Sequence, residues 1–168
     1  MPGPVGFSEA MVTRLLTLSA ASLSGLMTSP DAVNRLSSPR PYSTHIGAAI
    51  AYFLGRPAGS ERLSQALEGS ASIECTTLEN GYFFVVPPEQ VSELLGLLRR
   101  VDVARFRQSI LDADLEDLLD GELSEEIELA GLYSSEEAAE EASSDLQKLI
   151  AFYAEAADEG LALVGYTG

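Results

Sequence analysis

The closing stretch, Ser134 to Tyr166, constrains this chain more than any other. It reads SSEEAAEEASSDLQKLIAFYAEAADEGLALVGY. Ala142, Leu146, Leu149, Ile150, Tyr153 and Ala157 recur at spacings of three and four, so they share one face of a helix. Ser134 and Glu137 fit a capping box, in which each side chain satisfies a backbone N–H that the first turn leaves free. Gly160 stands where a helix must turn through positive φ. LALVGY follows, short and apolar, in the pattern of a buried strand. A helix that stops on glycine and runs straight into a strand is one half of an α/β layer.

The rest of the chain supplies the partners for that layer. With 168 residues and 46% of them hydrophobic, it is long enough and apolar enough to bury one core, and it reads as a single domain over 1–168. The longest apolar run, Ile46 to Leu54, is about half of the roughly 20 residues that span a bilayer. No basic and apolar leader opens the chain. One cysteine, Cys75, cannot form an internal disulfide. These features predict a cytoplasmic protein with no membrane association.

Reading along the chain, residues 1–7 form an irregular lead-in. Ser8 is placed to cap a helix to about Leu18, with Met11, Leu15 and Leu18 inward. Ser29-Pro30-Asp31 turns the chain, and Ala32 to Leu36 makes one helical turn at most. Ser43 to Leu54 reads as a helix ended by Gly55 and Pro57, followed by a shorter one from Ser60 to Gly69. SIECTTL and GYFFVV read as strands around the turn dipeptide Asn80-Gly81. Pro88 fits the first position of the next helix. A further helix covers Val101 to Leu111, and Gly121 divides two short helices within the acidic stretch 112–131.

These elements, in this order, resemble a known family. The match rests on a helix with a histidine near its start (Tyr42-Ser43-Thr44-His45 through Tyr52-Phe53-Leu54-Gly55), then Ala66-Leu67-Glu68-Gly69. It continues with a strand followed by Pro88-Glu89-Gln90-Val91, and with Phe152 to Gly160 and its strand. Over residues 42–166 this resembles the YfbM-like family of bacterial domains of unknown function. The resemblance implies a helix-rich mixed α/β domain in which helices cover a small mixed sheet; the alternative class is α+β. It implies no activity. Thr44 stands where the family usually has tryptophan, and the family's opening strand has no legible counterpart in residues 1–20.

Charge is the strongest functional signal. The net value is −16, and its distribution is lopsided. Residues 1–107 hold nine acids and nine arginines, whereas residues 108–168 hold seventeen acids and one base, Lys148. Such a surface repels nucleic-acid phosphates and anionic lipid, and attracts a basic protein or a cation. The expectation is an interaction protein rather than an enzyme, with an acidic partner surface including Asp112, Asp114, Glu116, Asp117, Asp120, Glu136 and Glu137. An immunity-type inhibitor of a basic toxin is the concrete form of it. DNA mimicry ranks last, on charge alone.

Catalytic and cofactor motifs are weak. His45 is the only histidine, and on a helix it would share a face with Ala49 and Tyr52. The rival reading is a small-molecule or enzymatic cleft around Tyr42, His45, Tyr52, Glu74 and Tyr82. Cys75 sits in a strand-like context with no nucleophile signature, so packing accounts for it better than a Cys–His pair. Counting from Asp112, an EF-hand would need glycine at its sixth position and glutamate at its twelfth; the chain has Asp117 and Leu123. No phosphate-binding glycine loop, nucleophile elbow or paired-cysteine zinc motif occurs. No cofactor or metal is therefore expected. Arg99, Arg100, Arg105 and Arg107 make a modest basic patch, for which pairing with carboxylates of the same chain is the expected role.

Overall fold

In the computed structural model the closing stretch folds as its pattern requires. The structure describes residues 11–168. Helix α7 spans Ser135–Asp158, and the hydroxyl of its N-cap Ser134 accepts from the Glu137 N–H at 3.1 Å. Gly160 turns the chain at φ +66° into strand β5, Ala162–Thr167. The buried face of α7 includes Ala142, Leu146, Leu149 and Tyr153, and also Ala138, Ala139, Phe152 and Ala156.

Strand β5 lies in the middle of a five-stranded sheet of order β2-β1-β5-β4-β3. The other strands are β1 (Thr13–Leu18), β2 (Tyr42–Thr44), β3 (Ile73–Glu74) and β4 (Tyr82–Val86). Every pairing is antiparallel, so the sheet is not the mixed one expected. The two faces of the sheet are unequal. Leu15, Phe84, Val86 and Leu163 point into the large core, which is shared with helices α2 (Gly47–Gly55), α3 (Gln65–Glu68), α4 (Pro88–Leu98), α5 (Val103–Asp112), α6 (Glu122–Leu129) and α7. Leu16, Leu18, Phe83, Ala162 and Val164 point the other way. There α1 (Ala20–Thr28) and a 3₁₀ turn (Pro30–Arg35) cover them with Leu26 and Val33. A strand buried on both faces explains why β5 reads as an unbroken apolar run.

Two glycines set how closely the layers approach. Gly165 pairs with both Leu15 and Phe84, and a Cβ there would lie within 2.6 Å of Leu15 Cδ2 and would overlap the Phe84 ring. Gly69 ends α3 at φ +67° and takes the other side of Phe84, where a Cβ would come within 2.6 Å of the ring. Phe84 therefore fills space that only two missing side chains leave open.

Two expected elements are replaced. Residues 13–18 form strand β1 rather than a helix; Ser8, the expected cap, lies outside the described residues. Met11, Leu15 and Leu18 match helical spacing, but Leu15 faces one core and Leu16 and Leu18 the other, and β1 is paired on both sides. The opening strand that the family resemblance implies is thus present. The expected helix from Ser43 begins only at Gly47, because Tyr42–Thr44 pair with β1 as strand β2. Gly47 packs flush on Thr13, where a Cβ would lie 2.9 Å from Thr13 Cβ. The two strand-like stretches do form a hairpin, with Gly81 in the turn at φ +77°.

Two tests of this packing follow. Gly165→Ala costs about 2–3 kcal/mol in urea unfolding, since a Cβ there meets Leu15, which is fully buried, and the Phe84 ring, which also lies against Gly69. Gly96→Ala, on the exposed side of α4 with nothing within 4 Å, stabilises by up to about 1 kcal/mol. A third test concerns alkali. Burial raises the Tyr42 and Tyr153 phenols above their ordinary value of 10.0, and for Tyr42 the neighbouring Asp145 carboxylate adds to the rise. The native state holds these protons while the unfolded chain releases them. Their contribution is full below pH 10 and is lost as pH rises beyond it. Unfolding midpoints measured from pH 8 to pH 11 therefore drop steeply at the alkaline end, and Tyr153→Phe makes the drop shallower.

Candidate functional site

The acidic third of the chain builds one continuous face from the end of α5, residues 113–117, a 3₁₀ turn (Leu118–Gly121), α6, and the start of α7. Its underside is apolar: Ile110, Leu123 and Ile127 are buried in the large core. That anchoring turns the interleaved acids outward. Asp112, Asp114, Glu116, Asp117, Glu136 and Glu137 are all exposed; the Asp120 side chain lies outside the described set. Gly121 at φ +85° supplies the left-handed residue that separates the 3₁₀ turn from α6.

A groove of about 310 Å³ runs across this face. Asp114, Glu116 and Glu128 give it carboxylates, Ile127 and Leu132 an apolar floor, and Tyr133 and Ser134 a rim. Tyr133 is 79% exposed, the most exposed large hydrophobic side chain among the described residues. Some acids are engaged locally. Gln108 Nε2 donates to Asp112 Oδ1 at 2.8 Å, and Ser134 Oγ donates to Glu137 Oε1 at 3.3 Å; the backbone donor to Glu137 Oε1 is the Tyr133 N–H at 3.4 Å, so the reciprocal arm of the expected capping box falls one residue before the cap. Asp114 hydrogen-bonds the Asp117 carboxyl and repels its charge, which holds Asp117 above its usual range. Exposed carboxylates in such numbers attract cations and cationic side chains. Among the described residues no three of His, Cys, Asp or Glu converge as metal ligands would.

The five residues of the expected cleft do not share a cavity. Tyr42 lies on β2 at one edge of the sheet, whereas Glu74 and Tyr82 face each other on β3 and β4 at the other. Four strand spacings, roughly 19 Å, separate β2 from β3. Tyr42 is buried, and its hydroxyl donates to the Asp145 carbonyl at 3.0 Å. His45 is exposed in the link between β2 and α2, so the helical face it was to share with Ala49 and Tyr52 does not exist. Tyr52 packs edge-on to Phe53, with the Arg56 guanidinium 5.7 Å from its ring centre. Glu74 and Tyr82 line a shallow depression of about 480 Å³ with Asp31, Cys75 and Asn80.

Two acids from the acidic third turn inward, which counting charges could not reveal. Asp145 is 5% exposed on α7 and accepts from Thr44 Oγ1 at 2.7 Å; Thr44 Oγ1 also accepts from the Ile46 N–H at 3.2 Å. Glu126 on α6 caps α2, accepting from the Ala49 N–H at 3.0 Å and the Ala48 N–H at 3.3 Å. A carboxylate on the first N–H groups of a helix satisfies donors that have no partner inside it. The signal lies in the structure of α2 rather than in local sequence, because Ile46 at the cap position has no side-chain acceptor.

Glu126 gives a pH test. Burial raises its carboxyl above the ordinary 4.5, outweighing the two backbone donors that pull the other way. The native state thus holds a proton that the unfolded chain releases. This contribution is full below pH 4.5 and is lost as pH rises through the raised value. Glu126→Gln removes that dependence in unfolding curves taken across the window. Glu126→Ala, which strands both N–H groups, costs about 1–2 kcal/mol at neutral pH.

Comparison with known proteins gives a family but no activity. The sequence model of a family described as "Domain of unknown function (DUF1877)" matches residues 10–166. Among solved structures the chain is similar to a protein of unknown function, YfbM, from Escherichia coli. The TM-score is 0.69 at 18% identity, covering 94% of this chain and 99% of that one. No curated protein matches. At that identity the similarity shows a common fold, and it agrees with the resemblance read from residues 42–166.

Proposed function

We propose that this chain, which belongs to the DUF1877 family, is a protein-interaction module whose acidic face receives a basic partner. The observation that carries the reading is the segregation of charge: seventeen acids and one lysine in residues 108–168, against a balanced first two thirds. A solubility role alone would be served by acids scattered over the whole surface. Here Asp114, Glu116 and Glu128 flank a groove beside an exposed tyrosine. Tyrosine is among the residues that most often anchor interfaces, because it buries a large apolar body while keeping a polar tip. A lysine- or arginine-rich partner surface complements such a face, as an immunity-type inhibitor complements a basic toxin. The same field disfavours nucleic acid and anionic lipid. Among the described residues no helix is long and apolar enough to cross a membrane. A cytoplasmic location goes with this reading.

The test is capture from a lysate of the source organism at low and at high salt, with the wild-type chain and with an Asp114→Lys/Glu116→Lys/Tyr133→Ala variant. A basic protein held by the wild type at low salt, released at high salt and missed by the variant is the expected result. Attraction between exposed charges is screened over a Debye length of about 8 Å at physiological ionic strength, so the loss with salt is steep. Capture indifferent to salt, or equal for the variant, removes the proposal.

A further inference from the structure

We propose a second, separate site: a cleft for a small ligand with an apolar body and a carboxylate or similar anion. It lies between the end of α2 with its following turn and the junction of α4 with α5. Two cavities of about 340 and 310 Å³ meet there, sharing Ser60, Leu63, Arg100 and Val101. Each is at the lower end of the size range of small-molecule pockets. Phe53, Leu63, Val101 and Phe106 give the cleft an apolar floor, and Ser60 and Ser109 add hydroxyls.

The charge around it is opposite in sign to that of the acidic face. Residues 56–62 and 93–105 carry five arginines against three acids. The acids are engaged. Glu93 pairs with Arg62 at 3.0 Å, Asp102 caps α5 and lies 3.9 Å from Arg105, and Glu61 accepts from the Gly59 N–H at 3.2 Å. Arg56 lies over the Tyr52 and Phe53 rings. Arg100 lines both cavities and has no ion-pair partner among the described residues. The pairing expected for the basic patch thus holds for Arg105 and for Arg107, which meets Glu140 at 3.3 Å, and fails for Arg99 and Arg100, of which Arg100 lines the cleft. An exposed guanidinium above apolar side chains binds the head of an amphipathic anion through charge-assisted hydrogen bonds, while the floor takes its tail. The acidic face does not forbid this, because its field is screened within about a Debye length and the local arginines dominate at contact distance.

The probe is sodium decanoate below its micelle concentration, titrated into the ¹⁵N-labelled full chain and followed by amide chemical shifts. Decylamine and a hexaglutamate peptide serve as comparisons. The expected result is saturable shifts at Ser60, Leu63, Val101 and Ser109 with decanoate alone, and affinity at least about tenfold weaker in Arg100→Glu. Arg100 is exposed, so the variant stays folded; Arg100→Gln, which removes the charge without reversing it, gives the same direction with a smaller loss. No shifts in the cleft, equal binding of decylamine, or undiminished decanoate affinity in both variants overturns the proposal. So does hexaglutamate binding in place of decanoate, which would make the cleft a docking site for acidic protein segments.

Discussion

The close approach of three strands at one point governs this structure. Leu15, Gly165 and Phe84 lie side by side across β1, β5 and β4, and the middle residue has no side chain. The Phe84 ring occupies the place where a Gly165 side chain would stand, and Gly69 leaves room for it from above. That arrangement seats β5 between its neighbours and so fixes where α7 lies, since only Glu159 to Leu161 separate helix from strand. With α7 set, its faces determine the rest. The Tyr153 hydroxyl donates to the Ala66 carbonyl at 2.8 Å, and Asp145 holds the β2–α2 corner through Thr44. α4 and α5 close the core from the sides.

The two charged regions depend on that same frame. α7 and α6 turn apolar faces to the core and leave their acids outside, while α5 divides its residues between the two sides. Phe106 and Ile110 go inward, Arg107 reaches back to Glu140 on α7, and Arg105 turns toward the apolar cleft. One ten-residue helix thus separates a strongly negative face from a locally positive one. A chain with a net charge of −16 can in this way keep a small region of opposite sign.

Sequence periodicity reveals elements whose burial is one-sided. α7 is legible to both caps, because a single apolar stripe, a serine at the start and a glycine at the end all point to one answer, and α4 is legible through Pro88 at its start and its apolar stripe. β1 is not legible. Its inward residues belong to two cores, and their summed spacing imitates a helix. β2 is three residues long, too short for any period to show, and merging it with α2 misplaced His45. The acidic face was legible as charge, with one inversion. Asp145 and Glu126 belong to the acidic third by count but serve as internal acceptors, and only the positions of Thr44 and the α2 N-terminus reveal that. Tyr133 and Glu128 escaped notice because each is unremarkable alone, and the groove exists only once α6 and the start of α7 are brought together.

The strand order has a consequence for how the protein is made. β1 and β4 are not neighbours; both hydrogen-bond to β5, and Thr13 aligns with Thr167 across the sheet. Synthesis proceeds from the N-terminus, so the strand that joins the two halves emerges after everything it joins. Until β5 has left the ribosome, the sheet can hold only the β1–β2 pair and the β3–β4 hairpin, with Leu15 and Phe84 lacking the surface between them. Contacts that close so long a loop form slowly and leave edges unpaired in the meantime. The sheet is therefore completed only when β5 emerges, and until then the nascent chain exposes two strand edges that β5 will cover.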